Sequence, residues 1–84
     1  MVDKKKGKDL PIEIKKIGLR LKQIRKNRGF TNSDDYSYHY NLNRSQYGKY
    51  EAGSEDLRMS SLIKLLGKID VKLTDFFSEG FNEV

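Results

Sequence analysis

The amino-acid sequence predicts an all-α protein folded as a compact five-helix bundle. Three observations support this class: apolar residues recur at helical spacing along most of the chain, the only proline is Pro11, and the one segment with strand-like alternation has no partner strand. With 84 residues, the chain forms one domain that has room for a modest core. It has no cysteine, so packing rather than disulfides or thiolate metal sites must stabilise it.

Charge divides the chain into two unequal parts. Residues 1–28 hold eleven Lys/Arg against three Asp/Glu, a net charge of +8, whereas residues 29–84 hold six against nine, a net charge of −3. Residues 1–10 have no apolar periodicity and are predicted to form a flexible basic arm, with the folded domain at 11–80 and a short tail at 81–84. The asymmetry indicates a polyanionic partner, nucleic acid or an acidic membrane surface, although a solvated tail and helix face would give the same charge pattern.

The first helix is predicted from Pro11 to Arg28. Its apolar residues recur at intervals of three and four with basic residues between them, at Ile14, Ile17, Leu21 and Ile24. Gly29 follows as the expected stop.

The next segment, FTNSDDYSYHYN, fits either a strand or a helix. Three tyrosines alternate with smaller polar residues, but Tyr36 and Tyr40 also share one helical face. Asn32 or Ser33 can cap a helix here, and the two following aspartates favour the positive end of a helix dipole. A helix is preferred because a single short strand would have no partner.

A tight turn and a short exposed helix are predicted over NLNRSQYGKYEAG, residues 41–53. Asn41 tolerates the left-handed conformation of a sharp turn, and Gly53 can end the helix. Asn43 or Ser45 can cap its start. The apolar stripe consists of Leu42, Tyr47 and Tyr50, whereas Arg44, Ser45, Gly48 and Lys49 point elsewhere. A surface helix with a small polar tip suits the major groove of a DNA duplex.

Two further helices complete the predicted bundle. The fourth has a broad apolar face that is expected to enter the core and that comprises Met59, Leu62, Ile63, Leu65, Leu66 and Ile69. The fifth is predicted within KLTDFFSEG, ending at Gly80, after which FNEV trails off. Six aromatic residues are expected in the core: Phe30, Tyr36, Tyr40, Tyr47, Tyr50 and Phe76. Tyr38 is expected to be exposed.

Four motifs occur in a characteristic order along the chain. They are IGLRLKQIRKNRG, then the pair Tyr36 and Ser37, then the pair Asn41 and Leu42, and finally RSQYGKYEAG. With these motifs, the chain from about Ile17 to Phe77 resembles the lambda-repressor-like helix-turn-helix domains of the Cro/CI (XRE) family of transcriptional regulators. It departs from the family pattern in three ways: GFTNSDDY is one residue longer than usual, serine replaces a small alanine at position 37, and asparagine replaces the turn glycine at position 41.

The resemblance implies that the third helix reads DNA bases through Arg44, Ser45 and Lys49. The chemistry of these side chains agrees, because arginine can donate two parallel hydrogen bonds to guanine and lysine can reach the same acceptors or a phosphate. Gln46 is a further candidate, for adenine. Candidates for DNA backbone contacts, together with the lysines of the arm, are Arg20, Lys26, Arg28, Asn32, Ser33 and Ser54.

Arg25 and Glu51 are expected to have a structural role. Family members commonly join these two positions by a salt bridge between the first and third helices. Glu51 is therefore interpreted as a support for the third helix rather than as a catalytic group.

The function implied is a sequence-specific transcriptional regulator of double-stranded DNA, more often a repressor, that acts as a cytoplasmic, nucleoid-associated homodimer on a two-fold operator. The fifth helix is expected to offer an apolar surface for the dimer through Leu73, Phe76, Phe77 and Phe81, although Phe76 is also expected in the core. The alternative is an antitoxin or another protein-binding module of the same fold, with a toxin or other protein as its partner. No catalytic residue, metal site or cofactor is predicted, since the chain has one histidine and no phosphate loop. Peripheral membrane binding would require a large apolar face beside the basic arm, and the sequence does not show one. No signal peptide is predicted, because the N-terminus has charges where a signal peptide has its apolar stretch.

Overall fold

The computed structural model describes residues 10–78 and 81–84. The helices are α1 (Ile12–Asn27), α2 (Ser33–Tyr40), α3 (Arg44–Ala52), α4 (Met59–Lys68) and α5 (Leu73–Ser78), followed by one 3-10 turn at Phe81–Glu83. These described residues contain no strand, which confirms the predicted all-α class. The predicted basic arm, apart from Leu10, and the predicted stop at Gly80 lie outside the described residues.

Four of the helices end in the same way, with a left-handed residue after the last turn. These residues are Gly29 (φ 90°), Asn41 (φ 58°), Gly53 (φ 67°) and Asp70 (φ 59°). In each case the amide of the next residue donates a hydrogen bond to the carbonyl of the residue five positions before it. After α2, for example, the Leu42 amide donates to the Ser37 carbonyl at 2.8 Å. Asparagine and aspartate tolerate this conformation better than most other side chains. Of the four, only Asp70 was not anticipated from the sequence.

Asparagine side chains begin both α2 and α3. The Asn32 Oδ1 accepts a hydrogen bond from the Asp35 amide at 2.8 Å, and the Asn43 Oδ1 accepts one from the Gln46 amide at 2.9 Å. Each bond satisfies an amide that lacks a partner within its own helix. Both open alternatives are thereby resolved: Asn32 caps α2, which begins at Ser33, and Asn43 caps α3.

The core forms where α1, α2, α3, α4 and α5 meet. Its most buried large side chains are Tyr36, Tyr47, Phe76, Leu21, Leu62, Leu66 and Ile69. The Tyr36 ring occupies the centre, with ring centroids 5.2 Å from Phe30, 4.9 Å from Tyr40 and 5.5 Å from Tyr47. Tilted and edge-on contacts of this kind are favourable between aromatic rings. Tyr38, as predicted, is 90% exposed.

The apolar face of α4 is narrower than the sequence indicated. Met59 and Ile63 were expected in the core, but they are 56% and 50% exposed. They lie one turn apart on one side of the helix, outside its contact with the bundle. Leu57, in the polar connection before α4, is instead buried in the core.

The C-terminal residues do not trail off as predicted. Phe81 lies in the 3-10 turn, and its ring centroid is 5.1 Å from that of Phe77. The Lys16 ammonium lies 5.0 Å from the centre of the same ring. These contacts place the turn against α1, since a cation over an aromatic face is attracted to it.

Candidate nucleic-acid interface

A close backbone crossing places α3 against α1. Gly18, in the middle of α1, has no side chain, and a Cβ built there would lie 2.5 Å from the Glu51 carbonyl oxygen and would also collide with the Tyr50 carbonyl oxygen. At the other end of the contact, a Cβ on Gly53 would lie 2.8 Å from the Lys15 Cα. Only glycine permits so close an approach of the two backbones. Gly18 was not predicted as a contact residue, although a glycine inside an otherwise regular helix is a signal of close packing.

A buried salt bridge joins the same two helices. The Arg25 Nε lies 2.8 Å from the Glu51 Oε2, and the Arg25 Nη2 donates to the Glu51 Oε1 at 3.2 Å. The remaining nitrogen, Nη1, donates to the Phe30 carbonyl at 2.9 Å. The hydrogen bonds that Arg25 donates to the Glu51 carboxylate raise the pKa of Arg25 above its ordinary value, because they stabilise the charged guanidinium. The predicted pair is therefore present, and it orients α3 relative to α1.

The inner face of α3, defined here by Tyr47, Tyr50 and Glu51, is directed at the bundle. Its outer face, defined by Arg44, Ser45 and Lys49, is exposed to solvent. Gly48 lies between these outer residues, and a Cβ there would meet no atom within 4 Å. The outer face therefore combines two cations, a hydroxyl and a glycine that leaves the backbone uncovered. The inner face of the same helix is fixed to α1.

The two outer cations are each close to a carboxylate. The Arg44 Nη1 lies 3.8 Å from the Asp34 Oδ2 of α2. The Lys49 Nζ lies 3.6 Å from the Glu55 Oε2, in the turn after α3. All four side chains are exposed, from 46% for Glu55 to 73% for Arg44, so water and salt screen both pairs.

The structure contradicts the expectation that Arg20 contacts the DNA backbone. Arg20 is only 6% exposed, and all three guanidinium nitrogens have partners in the protein. The Nε donates to the Phe76 carbonyl at 2.8 Å, the Nη2 to the Asp75 carbonyl at 2.9 Å and the Nη1 to the Gln23 Oε1 at 2.6 Å. Carbonyls in the last turn of a helix lack intrahelical donors, so Arg20 satisfies two carbonyls of α5 and fastens that helix to α1.

The other candidates for DNA backbone contacts differ in how many hydrogen bonds their side chains already make within the protein. Arg28 is exposed, but its Nη1 donates to the Ile69 carbonyl at 2.7 Å and to the Tyr40 hydroxyl at 3.1 Å. The Asn32 side chain is engaged at both ends by Asp35. The Ser54 hydroxyl donates to the Lys49 carbonyl at 3.3 Å. Lys26 is exposed on α1.

Ser33 and Gln46, the remaining candidates, differ in their exposure to solvent. Ser33 is half-buried at the first position of α2. Gln46 is exposed and lines a groove of about 230 Å³ between α3 and α4, whose wall includes Tyr47, Lys64 and Lys68. The Lys68 Nζ donates to the Asn41 carbonyl at 3.3 Å, in the turn between α2 and α3. Lys64 and Lys68 were not among the residues predicted from the sequence, although their spacing of four places them on the same side of α4.

The part of the chain that the structure describes also bears on metal binding and on membrane insertion. No group of three or more histidine, cysteine, aspartate or glutamate side chains there is placed to hold a metal ion. None of the helices in residues 10–78 and 81–84 has the length and apolar character needed to cross a membrane.

The described arrangement of α1 to α5, with a left-handed turn between α2 and an exposed α3, is a helix-turn-helix fold. Among solved structures, the chain is similar to the high-resolution crystal structure of the restriction-modification controller protein C.AhdI from Aeromonas hydrophila. The TM-score is 0.65 and the sequence identity is 24%, over 80% of this chain and 100% of that chain. No protein-family model and no curated protein matches the chain. The structural likeness thus supports the fold.

Proposed function

We propose that this protein is a sequence-specific transcriptional regulator of the Cro/CI (XRE) type that binds double-stranded DNA through α3. The observation that carries the proposal is the contrast within α3: a helix held by Gly18 and by the Arg25 salt bridge presents Arg44, Ser45 and Lys49 to solvent. A rigid scaffold that exposes polar donors on a short helix matches the way helix-turn-helix proteins enter the major groove.

Each residue then has a distinct role in the complex. Arg44 donates two hydrogen bonds to the acceptors of guanine, Lys49 reaches a guanine or a phosphate, and Ser45 contacts a neighbouring base edge. Gln46 takes an adenine or the backbone beside the α3–α4 groove. The proposed backbone contacts are Lys26, Arg28, Asn32, Ser33 and Ser54, with Arg20 removed from the set. The net charge of +8 in residues 1–28 supplies the salt-dependent part of the affinity.

The proposed assembly is a homodimer that binds a two-fold operator. Its proposed role is that of a repressor rather than an activator, in the cytoplasm. Leu73 is 40% exposed on α5, and Phe77 and Phe81, four and eight residues further along the chain, are half-buried, so these residues offer apolar area for a second copy. Phe76 is fully buried and does not belong to this surface. A dimer of this kind would select half-sites one helical turn apart, ~34 Å. The likeness in fold to C.AhdI, a restriction-modification controller protein, is compatible with a regulatory role.

Selection of bound duplexes from a random library, at a stated salt concentration, tests the proposal. The wild-type protein is expected to select a palindromic motif. Arg44→Ala and Lys49→Ala are each expected to lower discrimination against a changed base by ~1–3 kcal/mol per half-site. Lys72→Ala is the matched control, because it removes one exposed cation from the connection before α5 and leaves the outer face intact. An unchanged motif and unchanged affinity in both α3 variants would contradict the assignment.

A further inference from the structure

The two cations proposed to read bases each face a carboxylate from a different part of the fold. Asp34 lies in the first turn of α2, 3.8 Å from Arg44, and Glu55 follows α3, 3.6 Å from Lys49. The carboxylates therefore approach α3 from its two ends, and each outer cation has one acidic neighbour.

The local charge balance is unusual for a surface that would enter DNA. Residues 32–56 contain two cations, Arg44 and Lys49, against five carboxylates, a net charge of −3. Residues 1–28 carry +8. Glu51 is neutralised by Arg25 of α1, but the other four carboxylates of residues 32–56 still outnumber the two cations. Non-specific attraction to phosphates therefore originates mainly at the other end of the chain.

Building on the proposed function, we propose that Asp34 and Glu55 are specificity-determining residues that compete with DNA phosphates for Arg44 and Lys49. A phosphate offers an exposed arginine or lysine the same kind of screened ion pair that the carboxylate already provides. A correctly placed guanine offers two aligned hydrogen bonds, which discriminate by roughly tenfold or more. A correctly placed guanine therefore displaces the carboxylate from its cation. A phosphate beside a wrong base gains too little free energy to displace it.

Asp34 would also be expected at this position for a simpler reason, since carboxylates in the first turn of a helix interact favourably with its dipole. Asp35 separates the two explanations. Asp35 occupies the same turn, but its Oδ2 accepts a hydrogen bond from the Asn32 Nδ2 at 3.2 Å and its amide donates to the Asn32 Oδ1. Asp35 therefore helps to cap the start of α2. Asp35→Asn is therefore a matched control with the same change in charge and the same loss at the dipole.

The experiment compares wild type, Asp34→Asn, Glu55→Gln and Asp35→Asn on two duplexes of equal length. One duplex is selected from a random library by the wild-type protein, and the other has the same bases shuffled. On the shuffled duplex, Asp34→Asn and Glu55→Gln are each expected to bind about two- to fivefold more tightly. The slope of log affinity against log salt should steepen by ~0.9, as one more phosphate is neutralised. Affinity for the selected duplex should change less, so the specificity ratio should fall.

The inference is overturned if Asp34→Asn and Glu55→Gln change shuffled-duplex affinity and salt slope no more than Asp35→Asn does. In that case a wild-type preference for the selected duplex leaves the proposed function standing. A selection that yields no preferred sequence overturns the proposed function itself, and this inference with it.

Discussion

The inner and outer faces of α3 are held by different interactions. On the inner face, Tyr47 and Tyr50 are buried and Glu51 forms a two-point salt bridge whose Arg25 and Glu51 side chains are only 5% and 9% exposed. On the outer face, Arg44 and Lys49 reach carboxylates across 3.8 Å and 3.6 Å with largely exposed side chains. Exposed pairs of this kind contribute about 0–1 kcal/mol, whereas breaking a buried pair strands a charge away from water.

The difference implies that stability and recognition are separable within one nine-residue helix. Substitutions on the inner face should lower the free energy of unfolding. Substitutions on the outer face should leave that free energy nearly unchanged and alter DNA binding instead. The outer face can therefore change its target while the backbone of α3 keeps its position.

The largest expected effect follows from breaking the inner salt bridge. Glu51→Ala should lower the free energy of unfolding by ~3–5 kcal/mol, because Arg25 is left buried without its anionic partner. Urea denaturation followed by circular dichroism measures the change. Glu55→Ala removes the same kind of charge from an exposed pair and should cost less than ~1 kcal/mol.

A double variant keeps this prediction testable if Glu51→Ala is too unstable to fold. Arg25→Met combined with Glu51→Leu replaces both charged side chains by apolar ones of similar volume, and it should recover most of the lost stability. Equal, small losses for Glu51→Ala and Glu55→Ala would show that the two pairs do not differ as their burial indicates.

The next effect concerns the close crossing of α1 and α3. Gly18→Ala should lower the free energy of unfolding by ~1–3 kcal/mol, because its Cβ meets backbone atoms of Tyr50 and Glu51 that cannot move independently. Gly48→Ala is the control on the opposite side of α3. Its Cβ meets nothing within 4 Å, so alanine should stabilise the helix by ~0.5–1 kcal/mol. Opposite signs for the two glycines are the expected result in thermal denaturation, and a neutral Gly18→Ala would contradict the crossing.

The features that the sequence predicted correctly depend mainly on local chemistry. The choice of a helix for residues 33–40 followed from capping and dipole preferences, and the left-handed Asn41 followed from its tolerance of that conformation. The Arg25–Glu51 contact followed from the resemblance to the Cro/CI family.

The features that it missed depend on tertiary contacts. Arg20 and Arg28 look alike in sequence, yet only Arg20 is enclosed, because α5 folds back over its part of α1. Helical periodicity showed which side of α4 faces the core, but not how many of its residues the other helices cover. Met59 and Ile63 were therefore wrongly placed in the core. Ser37 replaces a typical alanine, and its hydroxyl is buried without a hydrogen-bond partner among the described residues.

The last expected effect on stability also concerns the inner face, and it is small near neutral pH and appears only at alkaline pH. Burial raises the pKa of Tyr47 above its ordinary value near 10. Above pH ~10 the unfolded chain loses this proton while the folded protein retains it, so the free energy of unfolding should fall with pH. The fall is ~1.4 kcal/mol per pH unit for one such tyrosine, and the full stability is present below pH ~10. Burial raises the pKa of Tyr36 in the same direction.

Tyr47→Phe should therefore reduce the loss of stability with pH by ~1.4 kcal/mol per unit in urea denaturations between about pH 10 and pH 12. Near neutral pH its effect should be small, because the Tyr47 hydroxyl makes only a long hydrogen bond, 3.5 Å, to the Leu21 carbonyl. Tyr38→Phe is the control, since a side chain that is 90% exposed is hydrated in both states. Identical pH profiles for Tyr47→Phe, Tyr38→Phe and the wild type would show that the inner face admits water. The contrast between the two faces of α3 would then rest on the salt bridge and the glycine crossing alone.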